Sequence, residues 1–302
     1  MVADEASPKQ GMPDAHDIPV VSGEFTTPEG ISLATDIAGD PWKPRLIFVH
    51  GGGQSRRSWR RALRNMAISG FSVVSFDLRG HGESAWSTDG DYTLEAHVRD
   101  LTAIVRAMPS RPSLIGASLG GRVALETAAR LGPELVKGLV LVDLTPKLHP
   151  AGMQRVQNFL KISMNGFDTI EDAAAVLDKY AERQIGHNYF RLRNSIRTDL
   201  DGRIYWRWDP QAATEKSLAR PDIEDLLTDA ASRLQIPTLL VRGTESDLVT
   251  DDCVAHFRQT LPSAEVVDIA GGGHLMKTQD LTVFCEATID FLKRANVVPV
   301  AV

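Results

Sequence analysis

Four uninterrupted apolar runs punctuate the first half of the chain: RLIFVHG (45–51), FSVVSFDLRG (71–80), PSLIGAS (112–118) and VKGLVLVDLTP (136–146). Runs of this length and Val/Ile/Leu/Phe content, closing on glycine, proline or a polar residue, predict strands buried on both faces, as in a parallel sheet. Between them lie SWRRALRNMAISG, TLEAHVRDLTAIVRAM and LGGRVALETAARLG, whose apolar positions recur at helical spacing. Strand–helix alternation of this kind predicts right-handed βαβ units in a doubly wound sheet. An earlier segment, ISLATDIAG (31–39), alternates more and predicts an antiparallel edge strand.

The rhythm stops after Pro146. Residues 147–230 carry helical patterns (MQRVQNFLKIS, TIEDAAAVLDKYAERQIG, IEDLLTDAASRL) but no buried-strand run. IPTLLVRG (236–243) and AEVVDIAG (264–271) then resume it, and TVFCEATIDFLKRA closes with a helix. Two strands are too few to stand alone, so the chain reads as one α/β core, 23–146 and 231–302, interrupted by a mainly helical cap over 147–230. Residues 1–22 are polar and rich in proline and acid, without the apolar stretch of a signal peptide, and read as a disordered tail.

A chain of 302 residues with a net charge of −6 offers no electrostatic reason to expect nucleic acid or an anionic membrane as partner. No window approaches the roughly 18 apolar residues of a membrane span. The two cysteines, Cys253 and Cys285, form no disulfide framework or metal motif and favour a reduced, cytoplasmic setting. Oligomeric state stays open.

The chemistry is concentrated at strand ends. Gly116-Ala117-Ser118-Leu119-Gly120-Gly121 follows the run SLIGA and precedes a helical pattern. A serine between glycines at a strand-to-helix turn is a nucleophile elbow, needing small residues two before and two after the serine to avoid clashes. At the helix N-terminus, backbone N–H groups favour developing negative charge. His50-Gly51-Gly52-Gly53-Gln54 ends an earlier strand, and its glycine loop is placed to aim the Gly52 N–H, with that of Leu119, at an oxyanion.

Asp77-Leu78-Arg79-Gly80-His81-Gly82-Glu83-Ser84 follows the next strand. In this D-x-R-G-x-G-x-S segment, in the elbow and in their order, the chain resembles the α/β-hydrolase superfamily, especially its lipase, esterase and epoxide-hydrolase-like branch. The resemblance covers roughly 23–145 and 231–302. It implies a mostly parallel eight-stranded sheet, and it makes Asp77 and His81 framework rather than catalytic residues. Arg242-Gly243-Thr244-Glu245-Ser246-Asp247 resembles the family's G-x-x-D acid loop and nominates Asp247 as orienting acid, ahead of Glu245. Asp143, after VKGLVLV, is a second rival, because some members carry the acid after that strand. His274, after three glycines, is the one histidine in a catalytic-loop setting beyond Asp247.

Ser118, His274 and Asp247 would then cleave a small-molecule ester through an acyl-enzyme, with no cofactor or metal required. Gly53, Arg56 and Arg57 beside the oxyanion loop, and Trp206 and Trp208 in the cap, are candidates for substrate contact. One of Arg56, Arg57, Arg191, Arg193, Arg197, Arg203 or Arg207 pairing with a carboxylate would suit a monoester of a dicarboxylic acid, against the plainer reading of a solvated face. His149 and His187 are pocket-lining candidates at most. Epoxide hydrolases and haloalkane dehalogenases carry aspartate where this chain has Ser118. Carbon–carbon bond hydrolysis and lactone hydrolysis use the same triad, as do cofactor-free haloperoxidases and perhydrolases, many of which have a proline that HGGGQ lacks. A non-catalytic binding protein is the alternative from another class.

Overall fold

The computed structural model describes residues 18–181, 192–193, 195–213, 222–274 and 280–295. Its centre is an eight-stranded sheet in the order β1-β2-β4-β3-β5-β6-β9-β10. The strands are β1 (Val20–Thr26), β2 (Ser32–Ala38), β3 (Arg45–Val49), β4 (Ser72–Phe76), β5 (Ser113–Ala117), β6 (Gly138–Val142), β9 (Thr238–Gly243) and β10 (Glu265–Ile269). β1, β2 and β4 pair antiparallel, and from β4 to β10 every pairing is parallel. The apolar runs became these inner strands: every residue of β4 and β6 is buried. The 31–39 segment became β2, which pairs antiparallel as expected, but the edge strand is β1 beside it rather than β2.

Helices cover both faces: α1 (Arg60–Ile68), α2 (Leu94–Ala107), α3 (Leu119–Leu135), α6 (Ile223–Ser232), α7 (Asp251–Thr260) and α8 (Asp280–Arg294). One core layer joins α2, α3, α6 and α7 to the sheet through residues such as Leu101, Leu125, Leu227 and Phe257. The other joins α1 and α8 through Trp59, Leu63 and Phe284. Thus α6, which the sequence groups with the cap, packs on the core: Leu227, Ala230 and Ala231 are buried with Leu125 and Val136. Strand pairing likewise starts at Val20, inside the expected tail.

The cap consists of α4 (Pro150–Ser163), α5 (Ile170–Ala181) and a short hairpin of β7 (Ile196–Thr198) and β8 (Ile204–Trp206). It has its own apolar cluster of Leu160, Phe167, Ala173, Ala174, Leu192, Trp206 and Trp208. No described helix is long and apolar enough to cross a membrane.

β3 sits between β4 and β5, so the chain leaves it to one side and returns to the other. Such a switch point opens a crevice at the carboxyl ends of the strands, where ligands bind in open α/β sheets. The register puts Val49 beside Gly116, Ala117 beside Val142, and Val142 beside Val241. The loops that follow these residues therefore converge on one rim.

Candidate active site

Ser118 stands at this rim with φ 47° and ψ −116°, immediately before α3. A left-handed φ at a residue bearing a Cβ is strained, and such strain gathers at functional sites. The two glycines around it have steric causes. A Cβ on Gly120 would lie 2.3 Å from the Val49 carbonyl oxygen, and one on Gly116 would lie 2.4 Å from that of Gly120. The tight turn holds Ser118 half-buried, its N–H donating to the Val142 carbonyl at 3.3 Å. Among the described residues its Oγ has no hydrogen-bond partner, His274 included; such contacts are often long in unliganded enzymes and shorten when substrate binds.

The glycine loop 50–54 lies alongside: a Cβ on Gly51 would be 3.4 Å from that of Ser118. Its N–H groups are committed one by one. Gly51 donates to Gln54 Oε1, Gly53 to His81 Nε2 and Gln54 to the Gly51 carbonyl. The Gly52 N–H has no acceptor among the described residues, and neither does that of Leu119. Gly52 abuts Leu119, whose Cδ2 would be 3.7 Å from a Cβ placed there. Two unsatisfied donors beside a nucleophile are what an oxyanion hole requires.

Two buried histidines set the shape of that loop. His50 Nδ1 donates to the Gly51 carbonyl (2.8 Å) while Nε2 accepts from the Leu78 N–H (3.0 Å). His81 Nδ1 donates to the Arg79 carbonyl (3.1 Å), leaving Nε2 to accept from Gly53. Both rings act as neutral tautomers, and burial pushes both pKa values down to about 4. Asp77 is framework too, its carboxylate accepting the N–H groups of Arg56 (2.6 Å) and Glu83 (2.8 Å).

His274 follows Gly271-Gly272-Gly273 beyond β10, and its Nδ1 lies 2.7 Å from Asp143 Oδ2. A carboxylate only accepts, so Nδ1 carries the proton and Nε2 keeps its lone pair. This corrects the expectation that Asp247 orients the histidine. Asp143 follows β6, the strand next to β5, which leads into Ser118, and it too has a left-handed φ, 48°. The loop after β9 instead delivers Ser246, whose hydroxyl donates to Asp143 Oδ2 at 2.7 Å. The same hydroxyl accepts the N–H groups of Leu248 and Val249. That turn directs Asp247 towards the cap, where its carboxylate pairs with Arg155 of α4. Asp143 is 4% exposed in its side chain, against 37% for Asp247.

Cap residues cover the glycine loop 50–54. A Cβ at Gly53 would come within 3.8 Å of Phe159 and of Trp208 Nε1. Trp208, paired in an isolated bridge with His81, is buried, and its indole N–H has no partner among the described residues. Trp206 is internal to the cap, donating to Ser163 Oγ (2.9 Å) and packing edge-on against Phe167. The arginines singled out from sequence are mostly committed. Arg56 binds Asp36, Asp77 and Glu83, Arg57 binds Glu83, Arg197 binds Asp199 and Arg203 binds Asp168. Arg207 donates to the Ile196 carbonyl, Arg193 is exposed, and Arg191 and His187 lie outside the described residues.

Arg122, which the sequence pattern did not single out, is different. It lies one helical turn past Ser118, half-buried, and burial pushes its pKa down to about 10. Its guanidinium contacts Met153 Sδ of α4 at 3.5 Å. The sequence shows it only as an arginine directly after the elbow glycines, with Glu126 four residues on. In the fold Glu126 binds Arg130 instead, at 2.6 Å.

Residues 44–280 match the family model described as the alpha/beta hydrolase fold. The chain is 33% identical over 230 residues to an esterase of Mycobacterium tuberculosis, covering 72% of this chain and 71% of that one. A crystal structure of that esterase superposes with a TM-score of 0.71 at 26% identity, covering 91% of this chain and 92% of the other. A 3-hydroxybutyrate-oligomer hydrolase of Cupriavidus necator is 28% identical over 250 residues, 78% of this chain and 84% of its own. The structure of E-2-(acetamidomethylene)succinate hydrolase shares the fold with a TM-score of 0.79 at 21% identity, over 91% of this chain and all of that one. Matched along most of its length, and with its strand order and elbow in agreement, the chain belongs to the α/β-hydrolase family.

Proposed function

We propose that the protein is an ester-cleaving serine hydrolase in which Ser118 is the nucleophile, His274 the base and Asp143 the orienting acid. The observation that carries this reading is the His274–Asp143 contact at 2.7 Å, on the rim where a strained Ser118 meets two unsatisfied N–H donors. The esterase similarity supports the same class of bond.

Ser118 Oγ attacks the ester carbonyl carbon while its proton passes to His274 Nε2. Asp143 retains the Nδ1 proton in its hydrogen bond and stabilises the imidazolium. The Gly52 and Leu119 N–H groups receive the negative charge on the former carbonyl oxygen, each worth on the order of 3–4 kcal/mol in the transition state. Collapse breaks the bond to the alcohol, which leaves with the proton held by His274. Water then gives a proton to His274 as it attacks the acyl-enzyme, releasing the acid and restoring Ser118.

Purified wild type and Ser118→Ala are compared on p-nitrophenyl esters of graded chain length, with organophosphonate labelling followed by intact mass. Wild type should turn over and take up one adduct, and the variant should do neither. Activity surviving in Ser118→Ala removes the reading.

A further inference from the structure

A charged group drawn out of water is costly unless an opposite charge meets it. The arginines around this site obey that rule: Arg56 has three carboxylates, Arg57 has Glu83, Arg79 has Asp100 and Arg155 has Asp247. Arg122 departs from it. Its one polar partner among the described residues is the Met153 thioether, a weak acceptor. Its natural i+4 partner, Glu126, is turned to Arg130.

The position of Arg122 gives the departure a direction. Its N–H donates to the Ser118 carbonyl (3.1 Å), so it sits about 6 Å along the helix axis from the nucleophile. Helical side chains lean towards the N-terminus, here towards the turn that bears Ser118. Above it lies the first turn of α4, whose place is set by the His149 N–H on the Leu248 carbonyl (2.9 Å). There is no room to shift that turn inward, since a Cβ on Gly152 would already lie 2.5 Å from the Asp247 carbonyl oxygen. The guanidinium is thus held between the nucleophile helix and the cap. If it served only to pack its methylene stem, methionine would serve as well and without the desolvation cost.

We propose that Arg122 receives a carboxylate carried by the acyl part of the ester, so that the substrate is a monoester of a short dicarboxylic acid. This rests on the proposed serine-hydrolase reading and adds its substrate class. A fork of N–H donors matches a carboxylate bidentately, and the free acid supplies the missing counter-charge.

The test pairs mono-p-nitrophenyl glutarate with p-nitrophenyl pentanoate, of equal acyl length, on wild type, Arg122→Met and Arg122→Lys. Wild type should favour the carboxylated ester at least tenfold in kcat/KM. Arg122→Met should bring that ratio to one or below, and Arg122→Lys should keep part of it. Equal use of both esters by wild type, or a ratio that survives in Arg122→Met, overturns the proposal. A binding readout needs neither turnover nor a variant: glutarate should raise the Tm of wild type where 1,5-pentanediol does not, and less so in high salt. Absence of that protection also overturns it. Failure of the underlying reading looks different, as loss of turnover on both esters together with no organophosphonate adduct on Ser118.

Discussion

Asp143→Asn separates the two carboxylates that compete for the orienting role. One oxygen, Oδ2, serves both His274 Nδ1 and Ser246 Oγ, each at 2.7 Å, while the buried Oδ1 has no partner among the described residues. An asparagine has two ways to sit there. With its carbonyl at the Oδ2 position, both hydrogen bonds survive, but the NH2 group is buried with no acceptor among the described residues and the negative charge is gone. With the NH2 at the Oδ2 position, it donates to His274 Nδ1, forcing the proton onto Nε2, where it blocks uptake of the Ser118 proton. Either arrangement removes what stabilises the imidazolium. The loss expected in kcat/KM is about 10³–10⁴-fold, or roughly 4–5 kcal/mol of transition-state stabilisation. Asp247→Asn only weakens a part-exposed pair with Arg155, whose side chains are 23% and 37% exposed. It should cost at most about 1 kcal/mol of stability and leave kcat/KM within a few-fold. Initial rates on p-nitrophenyl acetate at neutral pH, with thermal melts to show both variants folded, decide between them. A crippled Asp247→Asn beside an active Asp143→Asn would refute the assignment.

Arg56→Ala should lose about 3–5 kcal/mol, because it leaves the fully buried Asp77 carboxylate without a counter-charge and Asp36 with Arg60 alone, whereas Arg57→Ala, at the more exposed end of the same cluster, should stay within about 1 kcal/mol. Urea midpoints at constant m-value check this, and equal effects would contradict it. Acid should loosen the oxyanion loop before it titrates most carboxylates. His50 and His81 ionise near 6.5 when unfolded but only at about 4 when folded, so their neutral forms fit the fold at full strength above pH 6.5. As pH falls from 6.5 to 4 the unfolded chain gains protons first, and stability drops by roughly 3 kcal/mol per histidine. The buried His97 shifts in the same direction. Unfolding midpoints that stay flat between pH 6.5 and 4.5 would count against this, and His81→Gln should shallow the slope.

The apolar runs, the glycine-flanked Ser118, the loop around Gly52 and the lone histidine beyond the last strand were all legible in the chain, because each is a local requirement. A strand buried on two faces must be continuously apolar, and a turn where a Cβ would meet a backbone oxygen at 2.3 Å must be glycine. The partner of His274 was not local. Asp143 and Asp247 both follow buried strands, and neighbouring residues do not say which carboxylate the last loop reaches. The choice came from sheet register, which sets Asp143 beside the nucleophile strand, and from Ser246, which takes the inner place in its loop and turns Asp247 to Arg155. Helix α6 read as cap because its amphipathic pattern names an apolar face but not the surface that covers it. Arg122 was hidden for a related reason: an arginine one turn past the elbow carries no local mark, and only the packed structure shows that Glu126, four residues on, goes to Arg130. Sequence determines what each segment needs to bury or bend; which of several eligible groups meets across the rim is decided by tertiary packing, since groups far apart in the chain meet only where strand register and loop direction bring them together.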